Sequence, residues 1–218
     1  MWKDSWWLAK KEIKYQLSAF ISTILAAIVI GMLAVSGLYG IVNEEFVIMF
    51  INENYISHLP LDIIFLGVTP SFAALFMAKP YLTFRTIKED PFSKRMAFYR
   101  ALPISVDVLT RSRILLMLVT LVVLSFVFYL TIIISLPTSF FQQISVSELV
   151  IFILLWFGYA LAFGGFNTYI EFGTNGKILY LFPLVLLLLF IIIIAFFYNY
   201  IEMGIVQWTF SIVEKYGI

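Results

Sequence analysis

The sequence has no cysteine, a single histidine and little charge: 12% of its 218 residues are Asp, Glu, Lys or Arg, where a soluble domain carries roughly 25%. Without cysteine there is no disulfide framework, no zinc-thiolate site and no thiol nucleophile. His58 sits beside Leu59-Pro60 in a loop and reads as a surface residue, so a metal site would need carboxylates alone, and no cluster of them stands out. A nucleotide loop is missing too. In Gly173-Thr174-Asn175-Gly176-Lys177 two residues separate the glycines and Ile178 follows the lysine. A phosphate loop needs four residues there and then Ser or Thr. The string reads as a tight turn, and the chain is not expected to hydrolyse ATP or to be an enzyme by itself.

What is abundant is apolar: 62% of residues, with 18% aromatic. Crossing roughly 30 Å of hydrocarbon takes about 20 such residues in a helix. Runs at 17–41, 114–136, 149–170 and 178–198 meet that length, and 61–78 is shorter, with Thr69-Pro70 near its middle. The carbonyls that a proline leaves without a donor must be satisfied by a neighbouring helix or a threonine hydroxyl, so this span is expected to be kinked and packed inside the bundle. The end of the chain, 201–216, is either a short sixth span or a surface helix, because Glu214 and Lys215 follow a brief apolar segment. The spans are poor in ionisable groups; Asp62, Glu148 and Glu171 fall at their edges, which argues against a proton- or sodium-coupled carrier. Thr69 and Asn167 read as interhelical hydrogen-bonding groups.

Positive charge sets an orientation. Lys3, Lys10, Lys11 and Lys14 precede the first span, eight basic residues lie in the loop 79–113, and Lys177 lies between the fourth and fifth spans, against 14 in all. The loops 42–60 and 137–148 have none. The basic side is therefore expected to be the cytoplasm, with the N-terminus inside a cell membrane crossed several times. Small residues recur every four positions at Ser18, Ser22 and Ala26, at Gly158 and Ala162, and at Ala160 and Gly164 with Gly165 alongside. That spacing lets helix backbones approach closely, within one chain or between two copies.

Two basic segments have helical character. Over 1–16, Trp2, Trp6, Ala9, Ile13 and Leu17 share a narrow face with Lys3, Lys10, Lys11 and Lys14 beside it. This predicts an amphipathic helix at the inner membrane interface, with Trp2, Trp6, Lys10 and Lys14 as its anchors to the lipid bilayer. In the loop, Asp90-Pro91 begins a short helix that must end before Pro103, bearing Phe92, Met96 and Tyr99 on one side and Lys94, Arg95 and Arg100 elsewhere. A second helix start at Ser105, with Asp107 in its first turn, leads into the third span. The chemistry alone leaves open whether the short helix docks on a partner or only marks the cytoplasmic side.

The phrase Arg100-Ala-Leu-Pro-Ile-Ser105, followed by a basic stretch entering the third span, resembles the loop of the membrane (permease) subunits of type-2 ABC exporters. The resemblance extends to the topology: an amphipathic N-terminal helix, a long basic loop after the second span, short outer loops and no ATPase domain. It implies that Phe92, Lys94, Arg95, Met96, Tyr99 and Arg100 form a coupling helix seated in a separate ABC ATPase subunit, which would hold the ATP and Mg. It also implies a second membrane subunit, as a homodimer. The chain departs from the family at its end, where a longer outer connection and a full sixth span are usual. The expected fold class is thus an all-α integral membrane protein, one domain over 1–218 with six, or five, transmembrane helices. The expected function is export of an amphipathic or hydrophobic substrate, for example a small toxin or antimicrobial peptide. A self-protection (immunity) or scaffold membrane protein without a transport cycle is the alternative. Nothing points to nucleic acid.

Overall fold

The structure, a computed structural model, describes residues 2–43, 58–74, 104–173 and 176–216. All elements among them are helical: α1 (Trp2–Tyr15), α2 (Leu17–Asn43), α3 (Leu59–Ile63), a π-helical turn (Ile64–Val68), α4 (Thr69–Ala74), α5 (Val106–Ser135), α6 (Phe140–Gln143), α7 (Val146–Gly173), α8 (Gly176–Phe196), a second π-helical turn (Phe197–Ile201) and α9 (Ile205–Tyr216). Four segments are long and apolar enough to cross a membrane, Leu17–Ile41, Val106–Ser135, Val146–Ile170 and Leu181–Ile201, with a shorter apolar helix at Leu59–Ala73. These are the helices of a multi-pass membrane protein. At 12 residues, α9 reaches only about 18 Å, short of a crossing.

α5 is the centre of the bundle, with α1, α2, α4 and α7 packed on it. Its buried residues come in adjacent pairs every four positions, from Val108-Leu109 through Ser112-Arg113, Leu116-Met117, Thr120-Leu121 and Leu124-Ser125 to Phe128-Tyr129. At 3.6 residues per turn a four-residue repeat advances about 40° per step. The buried stripe therefore winds round α5 and meets a different neighbour at each level. Phe65 sits where α5 and α7 converge, its ring centroid 5.8 Å from Phe128, 5.5 Å from Phe152 and 5.0 Å from Trp156, all edge-on. That is the geometry aromatic quadrupoles favour.

Local chemistry explains the helix ends and the kink. Ser105 is extended (ψ 144°) just before α5, and its carbonyl accepts from the Val108 and Leu109 N–H groups, as expected for the predicted start. The start of α7 is a capping box: the Ser145 N–H donates to Glu148 Oε2 at 2.8 Å, and the Glu148 N–H to Ser145 Oγ at 3.3 Å. Pro70 offers no N–H to the carbonyls of Phe65 and Leu66, one turn earlier. The chain widens there, with the Thr69 N–H reaching Ile64 O. The Thr69 hydroxyl donates to Phe65 O at 2.6 Å, and the Tyr159 hydroxyl, from α7, donates to Leu66 O at 2.7 Å. Both expected remedies for the proline are present. Thr69 thus bonds within its own helix, not between helices, because Pro70 leaves it a carbonyl one turn back.

The small residues divide in a way their spacing does not show. On α7, Ala160 and Gly164 are buried, and a Cβ on Gly164 would lie 2.6 Å from Ala73 Cβ, so this pair sets the contact with α4. Gly158, Ala162 and Gly165 are exposed. On α2 the expected stripe Ser18, Ser22 and Ala26 is exposed, whereas Ala27, Gly31 and Ala34 are buried. A Cβ on Gly31 would come within 3.1 Å of Thr131 Cβ and 3.2 Å of Phe128 O. That close approach orients α2, and the Ser18 face is turned away by it.

Candidate functional site

The expected ATPase-docking residues Phe92, Lys94, Arg95, Met96, Tyr99 and Arg100 lie outside the described residues. What is described is the place where their loop enters α5. There α1 lies against the first turns of α5, with Ala9 and Leu116 buried together and Ile13, Phe20 and Leu115 packed around them. Ser5, Ala9 and Gln16 are buried, and Glu12 joins them with a side chain 10% exposed. These four positions follow a helical repeat, so one face of α1 is committed to protein contact.

Glu12 is there for a reason. Its Oε1 accepts from Arg113 Nη1 at 2.7 Å, across 101 residues, and the Arg113 side chain is 6% exposed. A buried guanidinium without a carboxylate is strongly unfavourable, so each charge requires the other. Arg111 adds a second tie, its guanidinium 5.5 Å from the centre of the Trp2 ring, and Lys11 lies 4.5 Å over Trp7 on α1 itself. Such contacts contribute about 0.5–1 kcal/mol each at exposed sites.

Of the expected anchors, Trp2, Trp6, Lys10 and Lys14 are all exposed, and so is Trp7. The expected face is nonetheless displaced. Ala9, grouped with the tryptophans, is buried against α5, and the buried face is turned from the expected one by about 70° at 100° per residue. Small Ser5 and Ala9 permit close packing on α5, which leaves the bulky indoles outside. Neither Glu12 nor Arg113 stands out in the sequence as half of a pair. The available signal is a carboxylate set among Lys10, Lys11 and Lys14 and an arginine two turns inside a helix start.

A second polar node lies at the opposite end of the bundle. Asp62, on α3, is fully buried and accepts hydrogen bonds from the Val206 N–H at 2.9 Å, the Ile205 N–H at 3.2 Å and the Tyr198 hydroxyl at 3.0 Å. It caps α9 from another helix, satisfying N–H groups that an α-helix leaves open. Gly204 makes room, since a Cβ there would stand 3.0 Å from Asp62 Oδ2 and 3.1 Å from His58 Cβ. Glu202 turns the chain into α9 with a left-handed φ of 57°. Contrary to the surface position expected for it, His58 is half-buried, and that burial pushes its imidazole below the usual pKa. Downstream, the Phe210 ring of α9 packs tilted against Phe152 in the second turn of α7 and edge-on against Phe140 in α6, so α9 stays at this end. Asp62, like Gly204, is here a structural device of the fold.

Compared with protein families, with curated proteins and with solved structures, the chain matches none.

Proposed function

We propose that the chain is the membrane subunit of an ATP-driven exporter of the type-2 ABC kind, working as a pair of copies with a separate ATPase. The observation that carries this reading is the α1–α5 junction. A loop helix pushed by an ATPase must pass its motion to the spans, and its loop runs into α5 at Val106, two turns before the buried Glu12–Arg113 pair that fastens α5 to α1. Displacement at Ile104 and Ser105 would therefore move α1 and α5 as a unit, carrying α2, which follows α1 after one residue. ATP and Mg belong to the partner subunit. The exported molecule is amphipathic or hydrophobic, such as a small peptide.

In this reading the basic end faces the cytoplasm and α9 lies on the outer surface, which gives five crossings with Leu59–Ala73 as part of the second. The N-terminus is inside and the C-terminus outside. The experiment is co-purification of an ATPase from the native membrane with wild type and with the Phe92→Ala, Tyr99→Ala double variant. Loss of the ATPase with normal membrane insertion is expected. Retention of the ATPase by the double variant would assign the loop helix to topology alone, and absence of any ATPase from the wild-type preparation would favour the self-protection or scaffold alternative.

A further inference from the structure

Between α1 and the start of α5 runs a groove of about 470 Å³ lined by Lys3, Asp4, Trp7, Leu8, Ile104 and Val108. That volume lies in the range of small-molecule sites. Buried Val108 and part-buried Leu8 and Ile104 make its lining apolar, and exposed Lys3, Trp7 and Asp4 add a cation, an indole and a carboxylate. The exposed Trp2, Trp6 and Trp7 put this part of α1 at headgroup level. The surroundings are cationic. α1 and the first turns of α5 carry Lys3, Lys10, Lys11, Lys14 and Arg111 against Asp4 and Asp107, the buried Glu12–Arg113 pair cancelling itself.

We propose that this groove holds one anionic phospholipid of the adjoining leaflet, its phosphate between Lys3 and the Trp7 indole and an acyl chain along Leu8, Ile104 and Val108. Charge decides between this occupant and the chain's own loop. Residues 79–103 carry six Lys or Arg against Glu89 and Asp90, so the loop is repelled by the field that attracts an anionic headgroup. The assignment rests on the membrane character of the chain and not on the exporter reading; a scaffold protein would hold the lipid equally well.

The test is native mass spectrometry of the detergent-solubilised full chain, titrated separately with phosphatidylglycerol and phosphatidylcholine of identical acyl chains. One phosphatidylglycerol per chain should bind in preference to phosphatidylcholine. Lys3→Gln should weaken phosphatidylglycerol by about fivefold, the value of one lysine near an anionic surface, and leave phosphatidylcholine unchanged. Val108→Trp, which fills the groove, should abolish the preference, with circular dichroism confirming the helix content of both variants. Equal retention of the two lipids, or an undiminished preference in Val108→Trp, would overturn the proposal. Because the chain has no cysteine, Leu8→Cys gives a single labelling site. A thiol shielded from maleimide without added lipid would assign the groove to the loop instead.

Discussion

α5 and α8 are both long, mainly apolar helices, of 30 and 21 residues, yet they occupy opposite situations. α5 carries a buried stripe from Val108 to Ile132, whereas no described side chain of α8 is buried. Hydropathy cannot separate them, because lipid is as apolar as a protein core and there is no hydrophobic force between spans. Polar content separates them. Ser112, Thr120 and Ser125 all lie in the buried stripe of α5, while residues 181–196 of α8 contain no hydroxyl, amide or charge. On α5 the hydroxyls lie on the packed face, and the lack of any on α8 leaves a face that lipid can wet; a hydroxyl bonded back to its own helix, as Ser22 is to Ser18 O on α2, can stay exposed.

The sharpest way to break this contrast is to truncate one side chain in each span. Phe128→Ala, at the aromatic centre, should destabilise the protein by about 3–5 kcal/mol through the cavity it leaves, whereas Leu188→Ala should stay within about 0.5 kcal/mol. Unfolding of the purified protein in bicelles by a denaturing detergent measures both. A large effect of Leu188→Ala confined to the dimeric fraction would make α8 a contact between copies instead of a lipid face.

Arg113→Ala probes the foot of the same central helix. It should cost about 3 kcal/mol by stranding Glu12 in a buried setting. The double variant Glu12→Gln, Arg113→Met should recover most of that, since neither member then carries an unpaired charge. If the single variant is as stable as wild type, α1 is not fastened to α5 and the junction loses its mechanical meaning.

At the opposite end, Asp62→Ala should cost about 2 kcal/mol, because it opens two backbone N–H groups of α9 and the Tyr198 hydroxyl together. Hydrogen exchange should localise the loss to the first turn of α9, and uniform loosening of the bundle would contradict the capping role. The smallest expected effect is that of Tyr159→Phe, about 1 kcal/mol for the hydrogen bond to Leu66 O, seen as a lower midpoint in the same unfolding assay. An unchanged midpoint would mean that Pro70 is accommodated without α7.

Much of this was legible in the sequence, because the physics involved is local. Span length, the all-helical class, the helix start at Ser105 and the need to satisfy carbonyls before Pro70 follow from runs of neighbouring residues and from the geometry of one turn. The exposed tryptophans and lysines of α1 were legible for the same reason, since an amphipathic pattern of bulky and charged groups is read over four turns.

The tertiary structure alone decided which of several equivalent patterns was used. Ser18-Ser22-Ala26 and Ala27-Gly31-Ala34 are both small-residue stripes on α2, and only the position of α5 selects the second. Asp62 and Arg113 stand at span edges where either could have been solvated. Their partners lie 136–144 and 101 residues away, and no local rule links positions so far apart. Burying a charge is tolerated only once partners offset its lost hydration, and partners are brought together by the packing of the whole bundle.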